Sequence, residues 1–135
     1  MSFGMLSRWP VIVSVPVSPD ERGAHGELTD QAIERIFAAG RSAYFELCKT
    51  VDAAGVVVNG CSVLRGAAPP GDRVTVSVNV IEVYPDTFTM SARIRPAEGD
   101  GIAATGRCSL TPGGPVTDSM RDEFIALAQS ARRTH

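Results

Sequence analysis

The segment Leu28–Lys49, LTDQAIERIFAAGRSAYFELCK, constrains this chain more than any other stretch. It carries the only long helical rhythm in the first hundred residues. Ile33, Ile36, Phe37, Gly40, Ala43, Tyr44, Leu47 and Cys48 recur at steps of three and four, which places them on one broad apolar face. Ala32, Ala38 and Ala39 widen that face, so few positions beyond Glu34, Arg35, Arg41, Ser42, Glu46 and Lys49 are left to meet water. A helix this apolar must be covered over most of its circumference. Thr29 or Asp30 supplies the N-cap, since either side chain can accept from a free amide of the first turn. The helix is expected to stop near Asp52 to Ala54, with Gly55 as the residue able to turn left-handed.

The cover comes from segments that alternate with period two. Pro10 to Ser18 places Val11, Val13, Val15 and Val17 on one side, and Pro16 assigns that strand to an edge or a bulge because proline cannot donate to a ladder. Val56 to Leu64 is a second strand, with Gly60 as its bulge or point of close approach. After the break GAAPPGD at Gly66 to Asp72, Val74 to Tyr84 alternates most cleanly, with Val74, Val76, Val78 and Val80 facing one way. Thr87 to Arg95 follows with Phe88, Met90, Ala92 and Ile94 aligned. Ile102 to Leu110 aligns Ile102, Ala104, Gly106, Cys108 and Leu110. Short connections at Tyr84 to Asp86 and Glu98 to Gly101 imply antiparallel neighbours. Asp118 to Arg133 is a second helix, with Met120, Phe124, Leu127, Ala128 and Ala131 as its apolar stripe. The order is strand, long helix, four strands, short helix. Helices on one face of an antiparallel sheet make an α+β domain.

Composition narrows the class. With 135 residues the chain reads as one domain, 1–135, and 44% hydrophobic against 21% charged residues suits a soluble globular protein. The formal net charge of −2 argues against a general nucleic-acid binder, and Arg132 and Arg133 read as complements to the dipole of the last helix. The three cysteines, Cys48, Cys61 and Cys108, show no paired spacing and read as reduced, buried thiols of a cytoplasmic protein. No metal site is expected, because His25 and His135 are the only histidines and neither lies near a cysteine. MSFGMLSRWP lacks a charged head before an apolar run, and no run of eighteen apolar residues exists, so neither a signal peptide nor a membrane span is expected.

Several pieces resemble known sequences. PGDRVTVSV at Pro70 to Val78 is similar to a strand segment common in hotdog-fold thioesterases. TMSARIR at Thr89 to Arg95 and GIAATGRCSL at Gly101 to Leu110 are similar to their last two strands. FAAGRSAYF at Phe37 to Phe45 resembles the end of the central helix in the 4-hydroxybenzoyl-CoA thioesterase-like branch. The resemblance covers nearly the whole chain. It implies a five-stranded antiparallel sheet wrapped around a long central helix, with a short C-terminal helix.

It also implies a site. In that branch the loop before the helix reads D-x-D-x-x-G-H-V-N-N, its carboxylate attacks the thioester or activates water, and the helix N-terminus polarises the thioester carbonyl. This chain departs from that pattern. Gly26-Glu27-Leu28-Thr29-Asp30 aligns with G-H-V-N-N, Gly23 falls at the second aspartate and Glu21 at the first. Asp20 reaches the first aspartate's place with one inserted residue. Glu27 stands where the histidine belongs, and His25 lies two residues earlier. The other large branch carries its acid inside the helix after an H-G-G motif. Thr29-Asp30-Gln31 replaces that motif here, and Phe37 occupies the acid's place.

Thioester hydrolysis needs a nucleophile or base, and donors for the developing oxyanion. The free amides at the start of the long helix supply the donors. Asp20, Glu21 and Glu27 are the nearby carboxylates, with Asp20 first because it directly follows the first strand and Glu27 second because it immediately precedes the helix. His25 is a third catalytic candidate as base or donor near neutral pH. The competing reading of each is a solvated loop group. Leu28, Thr29, Asp30 and Arg41 are the substrate-binding candidates. Asp30 also reads as an N-cap, and Arg41 as one half of a surface ion pair. Arg65 and Arg73 suit a CoA phosphate but read more simply as surface charge.

The leading expectation is therefore hydrolysis of an acyl-CoA or acyl-carrier-protein thioester, with a CoA thioester as substrate and no separate cofactor. A non-catalytic acyl-thioester-binding protein is the alternative, and a hydratase or dehydratase using His25 with Asp20 or Glu27 ranks third. Open sheet edges and the resemblance both imply a homo-oligomer, a dimer or a dimer of dimers, with the site between subunits.

Overall fold

The computed structural model describes residues 9–133. The residues before Trp9, the side chains of Arg132 and Arg133, and His135 lie outside the described residues. The expectations about a leader, the basic end and that histidine therefore concern positions beyond the described chain.

Strands β1 (Val11–Pro16), β2 (Val57–Arg65), β3 (Arg73–Val83), β4 (Phe88–Pro96) and β5 (Ala104–Thr111) form one five-stranded sheet in the order β1-β3-β4-β5-β2. Every neighbouring pair is antiparallel. Helix α1 spans Asp30–Leu47 and helix α2 spans Asp118–Arg133. Pro16 sits on the edge strand β1, opposite Arg73, where its missing donor costs the sheet little. The ladder of β2 slips between Val58 and Gly60, at the glycine whose small size suited a bulge.

Sequence alternation decides which side of the sheet is dry. Val74, Val76, Val78 and Val80 of β3, with Phe88, Met90 and Ile94 of β4, are almost fully buried beneath α1. At about 1.5–3 kcal/mol for each fully buried large side chain, this layer is the main stabilising term of the fold. Two glycines permit the close approach. A Cβ at Gly40 of α1 would stand 2.5 Å from Val78 Cγ2, and one at Gly106 of β5 would stand 2.6 Å from the Phe37 ring. Helix α2 lies on the same face, because the Phe88 ring meets both Phe45 of α1 (6.2 Å between centroids) and Phe124 of α2 (5.0 Å).

Four expectations need correction. Helix α1 ends at Leu47, several residues early, and Gly55 lies in a short 3-10 turn rather than a left-handed cap. The carboxylate of Glu123 on α2 accepts from the Lys49 amide (2.8 Å), the Thr50 amide (3.0 Å) and the Thr50 hydroxyl (2.6 Å). These bonds replace the helical partners of that turn, and Cys48 is already extended. Burial alone would raise the pKa of Glu123, but the three donors outweigh it and hold the group below its ordinary value. Second, the three cysteines are not all reduced and buried. Cys61 and Cys108 are joined in a disulfide, and Cys48 alone is free and half-buried. The strand register sets Cys61 directly opposite Cys108, a pairing that sequence spacing does not reveal. Burial, then the neighbouring Glu123, pushes the Cys48 thiol up to about 12. Third, β2 is exposed along its whole length, because α1 covers the sheet from β1 towards β4 and leaves this edge open. Fourth, Ile102 precedes β5 and is 40% exposed, outside the apolar row in which alternation placed it.

Candidate active site

The start of α1 is built from the chain between β1 and the helix. Ser18 opens a 3-10 turn, Pro19–Glu21. Its hydroxyl donates to Asp20 Oδ1 at 2.5 Å, and its amide and hydroxyl both reach Glu21 Oε1 at 3.1 Å. The Arg35 guanidinium closes on Glu21 through Nε (2.6 Å) and a terminal nitrogen (2.8 Å). That two-pronged contact, with the Ser18 donors, holds the Glu21 carboxyl at about 2. Glu21 is therefore a structural anion, and Asp20 is left on the exposed rim.

From there the chain makes a hairpin. The amide of Gly23 donates to the Glu27 carbonyl (2.7 Å), Arg22 bridges to Leu28, and Gly26 takes the positive φ of 81° that the turn needs. The Glu27 carboxylate folds back over this turn and accepts the His25 amide at 3.0 Å. A Cβ at Gly23 would stand 1.7 Å from Glu27 Oε1, so the glycine makes room for that carboxylate. The contact between His25 and Glu27 is made by the main chain of His25, not its ring. The imidazole–carboxylate pair on which the hydratase reading depends is not formed by it. Arg22 ties the loop to the β2–β3 connection through the carbonyls of Gly26 (2.9 Å), Pro69 (2.5 Å) and Gly71.

Of the two N-cap candidates Thr29 is the cap, its hydroxyl accepting the Ala32 amide at 3.1 Å. The Thr29 amide donates to the Glu21 carbonyl (2.9 Å), which fixes the helix start to the acid-bearing turn. Among the described residues no group accepts from the amides of Asp30 and Gln31, so these donors of the positive helix end are left without a protein partner. Leu28 is 3% exposed and belongs to the core; only its carbonyl takes part, accepting from Arg65 at 2.6 Å. The same guanidinium pairs with the exposed carboxylate of Asp30. Arg65 is thus a partly exposed charge that ties the helix start to β2, and only the pairing of β2 across the sheet edge brings it there.

Arg41 lies elsewhere. Eleven residues along α1 from Asp30 it is about 16 Å away at the helical rise. It is 8% exposed, pairs with Glu34 at 2.9 Å and donates to Cys108 Sγ at 3.7 Å. Glu34 was not singled out by sequence, yet it stands one turn beyond Asp30 on the same flank of the helix; the four-residue step was the available signal. Direct contacts thus join Thr29 to the Glu21 turn and Arg65 to Leu28 and Asp30, while Asp20 stays with Ser18, Glu27 with the His25 amide, and Arg41 lies at a distance. Among the described residues, no group of three or more His, Cys, Asp or Glu side chains is placed to hold a metal ion. No helix among them is long and apolar enough to cross a membrane.

No family model and no curated protein matches the chain. Solved structures do. A thioesterase from Thermus thermophilus, crystallised with coenzyme A and zinc, superposes with a TM-score of 0.75 at 22% identity, over 92% of this chain and 98% of that one. A thioesterase-superfamily protein from Jannaschia sp. CCS1 gives 0.78 at 15% identity, over 91% and 86%. The gentisyl-coenzyme A thioesterase BH1999 gives 0.72 at 11% identity, over 85% and 99%.

Proposed function

We propose, from the hotdog fold that this chain shares with those thioesterases, that it is a thioester hydrolase acting on an acyl-CoA or an acyl-carrier protein. One observation carries the reading: among the described residues, the amides of Asp30 and Gln31 have no partner at the positive end of α1, where Arg65 is bonded to Asp30 and where the loop that bears Asp20 and Glu27 ends. A thioester carbonyl set over that turn meets two fixed donors aimed at the oxygen that gains charge. Asp20 directs water or attacks the carbonyl carbon, with Glu27 as the second carboxylate. On the water route the intermediate collapses to the acid and a thiolate, which takes up the proton removed from water. On the attack route the thiolate leaves an acyl–Asp20 anhydride, which water then hydrolyses to the free acid and the regenerated carboxylate. His25 is the third candidate of the loop, as base or hydrogen-bond donor. The chain requires no separate cofactor in this scheme.

The same reading includes a second copy of the chain. Among the described residues strand β2 ends the sheet without a further strand beside it, and it exposes Val57 (58%), Val63 (44%) and Leu64 (74%). An apolar open edge of this kind pairs with its own copy about a two-fold axis, forming a dimer or, by further association, a dimer of dimers. Pairing there brings the partner chain beside Arg65 and the helix start, where it completes the site. A cytoplasmic location accords with a CoA thioester substrate.

A binding role without turnover is the second reading. It is favoured by the occupation of the loop acids: Glu27 is engaged by the His25 amide, and Asp30 by Arg65. Incubation with acyl-CoAs while following free thiol separates the two. Turnover that falls in Asp20→Asn or Glu27→Gln supports hydrolysis, whereas saturable binding without thiol release supports the binder.

A further inference from the structure

Strand β2 is joined to the sheet by more than its ladder. Cys61, exposed on β2, is bonded to Cys108, which is 3% exposed on β5, with the two Cα atoms 4.1 Å apart. The two sulfurs differ in surroundings. Cys108 Sγ lies 3.7 Å from a terminal nitrogen of Arg41, itself 8% exposed. The other terminal nitrogen of Arg41 is turned to Glu34 at 2.9 Å. A buried cation is thus held against one sulfur of the bridge by a partner on its far side.

We infer that the Cys61–Cys108 bridge is a thiol–disulfide exchange site for small-molecule thiols, entered at Cys61, with Arg41 stabilising the departing Cys108 thiolate. The external thiolate attacks the sulfur of Cys61, the exposed residue of the pair. A mixed disulfide forms there, the Cys61–Cys108 bond breaks, and the electron pair leaves on Cys108 beside the guanidinium. A second thiolate attacks the external sulfur of the mixed disulfide and releases Cys61 as a thiolate. Two external thiols are oxidised to one disulfide, their two protons pass to Cys61 and Cys108 or to solvent, and the protein gains two electrons. Opening the bridge frees β2 from its covalent tie to β5. The inference rests on the bridge and Arg41, not on the proposed hydrolysis. Edge pairing uses the in-plane backbone of β2 and leaves Cys61 on the face that Cys108 shares.

The test uses the full chain, purified without reductant and equilibrated with glutathione disulfide. Alkylation under denaturing conditions, followed by peptide mapping, is expected to mark Cys48 alone before reduction and all three cysteines after it. During reduction by glutathione, the transient adduct is expected on Cys61. Arg41→Gln is expected to open about tenfold more slowly and Arg41→Lys to recover most of the rate, a charge-dependent rescue that loss of packing would not show. Alkylation of Cys61 and Cys108 in the equilibrated protein, an adduct on Cys108, or an unchanged rate in folded Arg41→Gln overturns the inference. The adduct mapping needs only the wild-type chain, so the test survives a variant that does not fold.

Discussion

Arg65, on the edge strand β2, donates to the carbonyl of Leu28 and holds the carboxylate of Asp30, so one guanidinium fastens the start of α1 to the rim of the sheet. The two contacts are unequal. Asp30 is 96% exposed at its side chain, where an ion pair is weak, whereas the bond to Leu28 caps a carbonyl that leads into the core. Arg65→Ala is therefore expected to lower stability by about 1 kcal/mol. It should also reduce kcat/KM by about tenfold or more, through loss of the fixed helix start. Asp30→Asn should stay within about 0.5 kcal/mol of wild type. Urea unfolding and thiol-release kinetics on both variants check the pair, and equal effects from the two would contradict this ordering.

Gly106→Ala tests the contact that lets α1 settle onto β5. The added Cβ would stand 2.6 Å from the Phe37 ring, and Phe37 is fully buried. A loss of about 1–3 kcal/mol is expected from such overpacking. Phe37→Leu in the same chain should recover part of it, because it removes the atoms that collide. Urea denaturation of the single and double variants measures the coupling, and simple additivity would show that the two residues do not meet as described.

Glu21 sets an acid limit on the loop. Its carboxyl is held at about 2 against an ordinary value near 4.5, so folding favours its charged form. The contribution is complete above about 4.5 and is lost as the pH falls through the folded value near 2. Arg35 is 44% exposed, so solvent screening limits the effect to about 1 kcal/mol. Glu21→Gln should flatten the fall in stability between those pH values, and an unchanged profile would remove the pair from the account.

The β2 edge predicts assembly. Wild type should sediment as a dimer or larger, and Leu64→Asp combined with Val58→Asp should yield a folded monomer, since both side chains are exposed on that edge. If β2 carries the contact and the partner completes the site, the monomer should also lose thiol release. A monomeric wild type would contradict the assembly, and a double variant that stays dimeric would place the interface elsewhere.

The residues that alternate most regularly are also the ones whose place in the fold is legible in the amino-acid order alone. Val74 to Val80 and Phe88 to Ile94 each line up beneath a helix whose three-and-four spacing marks the same dry layer, and the expected bounds of α2, Asp118–Arg133, match at both ends. The readings that failed depend on partners distant in sequence. Helix α1 stops at Leu47 because Glu123, over seventy residues later, captures the following amides. Cys61 meets Cys108 because β2 returns to the far edge of the sheet beside β5, a crossover invisible to spacing. The candidate site divides in the same way. The Thr29 cap is a local feature, legible from its order along the chain, while Arg65 reaches the helix start only through sheet topology.

The most direct test of the account is release of free thiol from a panel of short, long and aromatic acyl-CoAs, followed for wild type, Asp20→Asn and Glu27→Gln. Wild type is expected to turn over at least one of these thioesters, and one of the two variants to lose about a hundredfold or more in kcat while remaining folded. Undiminished turnover in both variants would contradict the assignment of the loop carboxylates, and no thiol release from any thioester despite saturable binding would contradict hydrolysis itself.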